Sequence, residues 1–233
     1  MIRTLARGAG QLLITLGVIV LLFAAYELYG TGLATAHAQH QLSTQLNRQW
    51  AAGAHQPVRT PAGAGHQHPG TPVAADGQRL DGVAKLYIPA FGPGWAPRVI
   101  VEGVALSDLA IGPGHYPGTA LPGQVGNFAV AGHRATHGNG FMALNTLVPG
   151  DALVVETRAR WYTYTVTGSE RVLPTETDVI DPVPHHPGAT PTKRLITLTT
   201  CDPWYSATHR LIVHGVLTST QPRGHGRPAA LRS

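Results

Sequence analysis

The stretch LITLTTC, residues 195–201, is the part of the chain that most directly indicates the fold. It is a short run of apolar and β-branched residues, a composition typical of a β-strand. Asp202-Pro203 follows at once and predicts a turn. The stretch therefore predicts a strand that ends with Cys201, and this is the only cysteine of the chain.

Similar short runs between Gly- and Pro-rich turns continue through most of the chain. One of them, residues 161–172, alternates apolar and aromatic side chains with threonines, as a half-buried strand does. Segments that allow a helical turn are short, at residues 107–111 and 141–147. We expect one all-β domain, a barrel or a sandwich, over residues 80–220. The predicted strands are Val83–Ile88, Arg98–Val101, Asn127–Ala131, Ala152–Glu156, Trp161–Val172, Leu195–Thr200 and Leu211–Leu217.

The charge distribution bears on which partners the domain can have. The 233 residues carry a formal net charge of +5, and 12% of them are charged. Residues 80–222 hold nine basic and ten acidic side chains, so the positive charge belongs to the two ends. A nucleic-acid-binding surface needs clustered Lys and Arg on the folded domain, and no nucleic-acid partner is expected. The single cysteine also excludes an intramolecular disulfide and a Cys-rich zinc site.

The N-terminal segment predicts attachment to a membrane. Residues 9–26, AGQLLITLGVIVLLFAAY, carry no charge, and Arg3 and Arg7 precede them. This length is near the minimum for a hydrocarbon core, and flanking basic residues favour the cytoplasmic side. We expect a cytoplasmic N-terminus at residues 1–8, a single-pass signal-anchor at residues 9–29, and an extracellular domain.

Cleavage of the N-terminal segment is the alternative to an uncleaved anchor. Ala36-His37-Ala38 fits the small-x-small pattern of a signal-peptide cleavage site. It lies thirteen residues beyond Ala25, which is far from the apolar run for such a site. Both interpretations place the domain outside the cytoplasm.

The segments on either side of the domain have the composition of a linker and a tail. We expect an extracellular linker at residues 30–79, with a possible short helix at 33–54 and then disorder. Within that helix, Leu42, Leu46 and Trp50 recur at helical spacing. At the other end, residues 221–233 predict a basic disordered tail.

Three side chains at predicted strand ends can support nucleophilic chemistry. Cys201 ends one strand, His133 follows the strand NFAVA and Gly132, and Arg210 begins the strand that comes next after the cysteine. A thiol, an imidazole and a guanidinium on one rim would supply a nucleophile, a proton carrier and a positive charge for an oxyanion. The alternative for Cys201 is a buried thiol that only packs as a small apolar side chain.

Metal binding is the other role that histidines suggest. His133 and His137 have a spacing that suits zinc on a helix, but they follow a strand. His185 and His186 point in opposite directions if the backbone there is extended. We therefore expect neither a metal site nor a cofactor.

Together these residues resemble the motifs of a known family. TLTTC at Thr197–Cys201, Gly132-His133 after a strand, and Arg210 after the cysteine resemble the motifs of sortases, the membrane-anchored cysteine transpeptidases of Gram-positive bacteria. Longer stretches resemble the class E branch of actinobacteria, and they read IGPGHYPGTALPGQVGN, NFAVAGHR, LVPGD and TLTTCDPWYSATHRLIVHG. The resemblance covers residues 82–218. It implies a closed eight-stranded sortase-type β-barrel with short helices, preceded by a single transmembrane helix.

The resemblance also implies a mechanism. Cys201 attacks the Thr–Gly bond of a C-terminal LAxTG- or LPxTG-type sorting signal and forms a thioacyl enzyme. His133 acts as general acid and base, Arg210 holds the oxyanion or the sorting peptide, and Thr200 bonds to the substrate backbone. Asp202 places a carboxylate beside the thiol, which is expected to disfavour the thiolate.

Substrates and partners follow from the same resemblance. Class E sortases resemble one another in preferring LAxTG, and Tyr116 is expected to narrow the pocket for the second signal residue. An aromatic side chain that only packs on the barrel is the alternative for Tyr116. The implied partners are secreted proteins with a C-terminal sorting signal, a lipid II-type peptidoglycan amine, and the membrane. The transfer reaction implied by the resemblance serves either attachment of surface proteins to the cell wall or assembly of a pilus.

Two other functions use similar residues. An L,D-transpeptidase is also an exported cysteine acyltransferase, but its histidine lies a few residues before the cysteine, whereas 68 residues separate His133 from Cys201. A non-catalytic sortase-like module that binds wall peptides is the second alternative. A thiol-reactive sorting-peptide analogue distinguishes them, because a binding module is not labelled at Cys201.

Overall fold

The computed structural model describes residues 2–26, 31–53 and 82–232 of the chain. The α-helices are α1 (Ile2–Ala25), α2 (Thr31–Gly53) and α3 (Leu106–Ile111). The strands are β1 (Gly82–Tyr87), β2 (Arg98–Glu102), β3 (Gly114–His115), β4 (Gly126–Ala131), β5 (Ala152–Glu156), β6 (Arg160–Val172), β7 (Arg194–Asp202) and β8 (His209–Pro222). The spacer expected at residues 57–78 lies outside the described residues.

The eight strands form a closed barrel in the order β1-β2-β3-β4-β7-β8-β6-β5. This confirms the barrel that the resemblance implied. Two neighbouring pairs, β2–β3 and β4–β7, are parallel, and the other pairs are antiparallel. Because β4 and β7 are parallel neighbours, both strands end at the same edge of the barrel.

Alternation along the strands separates an inner face from an outer one. Phe128 and Val130 of β4, Ile196 and Leu198 of β7, and Val213 of β8 are fully buried and belong to one apolar core. Successive strand residues point to opposite faces. The side chains between these core positions therefore lie on the outer face.

Helix α2 packs on the barrel, although the sequence analysis placed this segment in the linker. Leu42, Leu46 and Trp50, the residues at helical spacing, are buried and pack against Val99 and Val101 of β2. The helix spans 23 residues, Thr31–Gly53, close to the segment expected at residues 33–54. Its apolar stripe needs a partner to be buried, and β2 supplies that partner.

Gln39 of α2 continues the hydrogen bonding of the sheet where β3 is too short to do so. Its Nε2 donates to the carbonyl oxygens of Val99 and Ile111 at 3.0 Å each, and its Oε1 accepts from the Val99 N–H at 2.7 Å. Buried backbone polar groups need partners. Since β3 has only two residues, a side chain from α2 meets this requirement for β2.

The C-terminal segment is ordered where the sequence analysis expected a disordered tail. Strand β8 continues to Pro222, and 3₁₀ turns follow at Arg223–His225 and Ala229–Leu231. Arg223 donates from Nε to Glu156 at 2.7 Å, and its guanidinium lies 4.8 Å from the ring centre of Trp50. These charge and cation–π contacts hold a segment that has few core residues.

Helix α1 exposes large apolar side chains between Leu12 and Phe23. Within the described part of the chain, no helix is both long enough and apolar enough to cross a membrane.

The packing of α2 can be tested with one substitution and a matched control on the same helix. Leu46 is 3% exposed, so Leu46→Ala should lower the free energy of unfolding by about 2–5 kcal/mol through lost burial and a cavity. Leu33 is 75% exposed, and Leu33→Ala should change it by less than about 0.5 kcal/mol. Denaturant unfolding of the full chain measures both. Equal effects would show that α2 does not stabilise the barrel.

Candidate active site

Three adjacent strands bring the candidate residues to one edge of the barrel. Strands β4 and β7 are parallel and end there, and β8, which is antiparallel to β7, begins there. His133 follows β4, Cys201 is the next-to-last residue of β7, and Arg210 is the second residue of β8. The strand order thus places at one edge residues that are 68 and 9 positions apart in sequence.

Cys201 and Arg210 are direct cross-strand partners in the β7–β8 pair. Directly opposed residues of an antiparallel pair share a face and stand about 4.5–5.5 Å apart at Cβ. Since Leu198 and Val213 point into the core, this face is the outer one. The thiol is half-buried, and Arg210 donates from Nη1 to the carbonyls of Ala207 and His209 at 3.0 Å each.

His133 is held at the same edge by backbone contacts on both sides. The Gly132 N–H donates to the Thr199 carbonyl at 3.0 Å, and the Phe141 N–H donates to the His133 carbonyl at 3.0 Å. A side chain at position 132 would collide with the Phe141 ring, because an added Cβ would lie 2.6 Å from it. Glycine before the histidine is therefore required for the close approach of Phe141.

Thr200 fixes the same loop from the cysteine strand. Its buried hydroxyl donates to the Gly132 carbonyl at 2.7 Å. This bond joins the residue before Cys201 to the residue before His133. The hydroxyl proton of Thr200 is thus donated to another group of the protein, the Gly132 carbonyl. A bond from Thr200 to the substrate backbone stays a prediction.

Tyr116 lies beside the cysteine strand on its outer face. Its hydroxyl is 3.0 Å from the Thr199 hydroxyl, and its N–H donates to the Ala129 carbonyl at 3.0 Å. The half-buried ring is therefore placed two residues from Cys201 along β7. These contacts show that Tyr116 packs on the barrel, and its role in the pocket for the second signal residue stays a prediction.

Asp202 is paired in an arrangement that the sequence did not indicate. Its carboxylate bonds to Nη1 of Arg134 through one oxygen and to Nε of Arg171 at 2.7 Å through the other. Two guanidinium groups therefore offset the negative charge that Asp202 places beside Cys201. The pairing also joins the histidine loop to the cysteine strand.

Arg134 is the residue of this site that sequence reasoning missed. It is 7% exposed, and its Nη1 also donates to the Cys201 carbonyl at 3.4 Å. A buried arginine needs a charged or carbonyl partner. Its position directly after His133 was visible in the sequence, but its partner on a strand 68 residues away was not.

A second histidine modifies the properties of His133. The rings of His133 and His137 stack with centres 4.6 Å apart and planes inclined at 22°. Burial lowers the pKa of His133, and repulsion from a charged His137 lowers that pKa further. The structure thus brings together the pair that the sequence analysis weighed as metal ligands, but as stacked rings. The lowered pKa favours the neutral imidazole, which can accept a proton.

Comparison with known proteins gives this geometry a context. The family model described as "Sortase domain" matches residues 86–218. The curated Sortase SrtE1 of Streptomyces coelicolor is 37% identical over 237 aligned positions, which cover 98% of this chain and 61% of that protein. The chain therefore spans less than two thirds of that relative's length.

Solved structures show the same similarity. Sortase E from Streptomyces avermitilis is 45% identical with a TM-score of 0.59, and the match covers 65% of this chain and 97% of that one. Sortase E1 from Streptomyces coelicolor, solved with a tripeptide in its active site, is 38% identical with a TM-score of 0.59, covering 65% and 96%.

The contribution of His137 to the pKa of His133 can be measured directly. His137→Phe keeps an aromatic ring but removes the charge, so the pKa of His133 should rise while remaining below its ordinary value because burial persists. NMR titration of the imidazole signals in the full chain gives this pKa. His225→Phe, an exposed control, should leave it unchanged. An unchanged value in His137→Phe would leave burial as the only cause.

Proposed function

The chain belongs to the sortase family, and on that premise we propose that it is a cysteine transpeptidase that cleaves a C-terminal sorting signal between Thr and Gly. The observation that carries the proposal is the register of β4, β7 and β8. It sets Cys201 opposite Arg210 and places His133 at the same edge. Family membership also removes the L,D-transpeptidase alternative.

Cys201 is the nucleophile in this proposal. His133 accepts the thiol proton of Cys201, and the resulting thiolate sulfur attacks the threonine carbonyl carbon of the sorting signal, whose oxygen becomes an oxyanion. Arg210, opposite the thiol, supplies the positive charge that stabilises this oxyanion. The C–N bond then breaks, and the glycine amine leaves with a proton from His133. The product of the first half is a Thr–Cys201 thioester.

The second half of the reaction reverses the proton transfer. An amine of a lipid II-type peptidoglycan precursor attacks the thioester carbonyl and loses a proton to His133. The thiolate of Cys201 leaves, and a new amide joins the surface protein to the acceptor. His133 must therefore be an acid in the first half and a base in the second. The bond from Thr200 to the Gly132 carbonyl holds the backbone that carries this histidine.

Tyr116 is proposed to set the choice of sorting signal. The bond to Thr199 holds its ring on the outer face close to Cys201. A ring held beside the bound peptide leaves room for the methyl group of Ala and crowds the pyrrolidine of Pro. LAxTG is therefore the preferred signal over LPxTG. The protein substrates are secreted proteins that carry such a signal.

We also propose that the N-terminal segment attaches the enzyme to the cell membrane, with the barrel outside the cytoplasm. The support is the run of exposed apolar side chains between Leu12 and Phe23 and the arginines at positions 3 and 7. Attachment would keep the barrel close to lipid-linked acceptor amines.

Catalysis by the three residues predicts three different outcomes. Cys201→Ala should abolish cleavage and transfer, because the chain has no other thiol. His133→Ala should bind the signal peptide but lose about 10²–10⁴-fold in kcat. Arg210→Lys keeps the charge but loses the planar fork, so its kcat/KM should fall well below that of the wild type. Hydrolysis and transfer of a fluorogenic signal peptide measure all three.

Two controls separate catalysis from binding and from general damage. Arg160→Lys, an exposed arginine on β6, should retain wild-type activity. A thiol-reactive signal-peptide analogue should label the wild type at Cys201 by mass spectrometry. Active Cys201→Ala protein would refute the mechanism, and a wild type that binds the analogue but is never labelled would indicate a binding module.

The role of Tyr116 predicts a change in selectivity. A mismatch of a few methylenes in an apolar pocket is worth about 10- to 200-fold, which sets the expected wild-type preference for LAxTG. Tyr116→Ala should reduce that preference mainly by improving kcat/KM for LPxTG. Tyr116→Phe keeps the ring and should keep most of the preference. A wild type that prefers LPxTG would contradict the pocket argument and leave the mechanism standing.

Membrane attachment predicts an intact N-terminus in the mature protein. Mass spectrometry of protein extracted from membranes should find the segment before residue 30 still present. A mature chain that begins at Gln39 would instead show cleavage of a signal peptide after Ala38.

A further inference from the structure

Two histidines and a glutamate meet on the outer face of the barrel, away from the proposed catalytic residues. The Nε2 atoms of His185 and His214 lie 2.6 and 2.8 Å from the same oxygen, Oε1 of Glu170. One ligand atom from each of the three residues lies within 4.8 Å of the other two. Their side chains are 41%, 21% and 35% exposed respectively, so an ion can reach them from solvent.

The fold places this cluster by the register of two strands and one loop. Glu170 of β6 is paired with Ile212 of β8, and His214 lies two residues further along the same face. His185 comes from the loop between β6 and β7. In that loop, Val179 packs on Ile212 and on Val172, which anchors the loop to the strands that carry the other two residues.

His185 is held towards the strands by an unusual backbone conformation. Its φ is 62°, in the left-handed region that non-glycine residues seldom adopt, and its N–H donates to the Asp178 carbonyl at 3.1 Å. Such conformations persist where the surroundings hold them, and they are concentrated at functional sites.

Each histidine has a partner on its second ring nitrogen that leaves Nε2 to face the cluster. Nδ1 of His185 lies 3.1 Å from a carboxylate oxygen of Asp178, which accepts a hydrogen bond from Nδ1–H. Nδ1 of His214 lies 3.0 Å from the Thr197 hydroxyl oxygen. Whether that oxygen donates or accepts is decided by the next partner, Asn127.

Asn127 fixes the direction of the hydrogen bonds around Thr197. Its amide nitrogen donates to the carbonyls of Val179 and Asp181 at 3.3 and 3.1 Å, so its oxygen is the acceptor for the Thr197 hydroxyl at 2.8 Å. The single hydroxyl proton of Thr197 is therefore donated to Asn127. Its oxygen must then accept from Nδ1–H of His214, so Nε2 is the nitrogen of His214 that faces the Glu170 carboxylate.

Metal-binding histidines usually have this arrangement, with the non-ligating N–H donated to a carboxylate or another oxygen. It fixes the ring orientation and the tautomer before a metal arrives. Two such nitrogens and one carboxylate form the His₂Glu set of zinc sites that keep an open position. Imidazole nitrogen favours zinc over calcium or magnesium, which prefer oxygen ligands.

We propose that His185 Nε2, His214 Nε2 and the Glu170 carboxylate bind one Zn²⁺ ion, which fastens the loop between β6 and β7 to the barrel. Ligand atoms around zinc stand roughly 3.3 Å apart, so the Glu170 oxygen, now 2.6 and 2.8 Å from the two nitrogens, must move away from both when the ion enters. His214 also lines a cavity of about 390 Å³ on this face of the barrel. The proposal does not depend on the transpeptidase function.

The site lies on the same outer face as Cys201. Thr197, which positions His214, is four residues before Cys201 on β7, a distance of roughly 13 Å along a strand. The loop that zinc would fasten also leads directly into β7. Zinc binding would therefore order the chain that enters the strand of the nucleophile, without touching the nucleophile.

The test uses the full chain carrying Cys201→Ala, which removes the thiol as a competing ligand. Calorimetric titration with ZnCl₂ should show one ion per chain. Removing a residue that only supports a metal ligand lowers metal affinity by about 10–100-fold. Removing a ligand itself should cost more, so His185→Ala and Glu170→Gln should each weaken zinc binding by more than about 100-fold. His186→Ala, the neighbouring histidine outside the cluster, should bind zinc as the parent does.

Hydrogen exchange provides the second measurement, and it does not depend on enzymatic activity. Zinc should slow amide exchange in residues 173–193 of the parent and should not do so in Glu170→Gln, whose near-identical shape preserves the fold. A parent that binds no zinc would overturn the proposal. So would His185→Ala and Glu170→Gln proteins that bind zinc as tightly as the parent, since the ion would then lie elsewhere.

Discussion

The parallel pairing of β4 with β7 is the constraint on which the rest of this structure depends. It joins residues 126–131 to residues 194–199 in a fixed register, with Ala131 opposite Thr199. A slip of one residue would reverse the faces of a strand, moving Cys201 from the outer face into the core. The bonds from Gly132 to Thr199 and from Thr200 to Gly132 extend this pairing beyond the strand end. The histidine loop and the cysteine strand therefore form one unit.

Charge and packing then support that unit from three directions. Asp202, between Arg134 and Arg171, links the histidine loop, the cysteine strand and β6 through groups that are partly removed from water. Helix α2 covers β2, and Thr35 and Gln39 border a small pocket that His133 and His137 also line. On the other side of β7, the loop after β6 packs over Ile212 and supplies His185. The outer face thus carries the proposed catalytic edge, with Cys201 on β7 and Arg210 on β8, and the proposed zinc site, whose His214 also lies on β8.

Much of the candidate site could be predicted from local sequence because each residue stands beside a strand signal. Cys201 and His133 follow β-branched or apolar runs, and Arg210 precedes one, so their positions at strand ends were readable. The hydrogen-bond and charge partners of these residues could not be predicted from local sequence. Asp202 next to a thiol suggested an unfavourable charge, and only the fold shows the two arginines that offset it. Arg134 stood beside His133, but its buried pairing depends on a register that no local pattern contains.

Seven of the eight strands, their alternation and the strand-end residues could be predicted from the sequence, because each is encoded in neighbouring residues, whereas the two-residue β3 was not predicted and the closed barrel came from the family resemblance. The tertiary structure decided what depends on separate segments meeting. Leu42, Leu46 and Trp50 were visible as one helical face, but whether that face met solvent or β2 was not. Residues 221–232 lack a core pattern and are ordered by contacts with Trp50 and Glu156. Glu170, His185 and His214 are 15 and 29 residues apart with no motif between them, and they meet because β6 and β8 are neighbours under one loop.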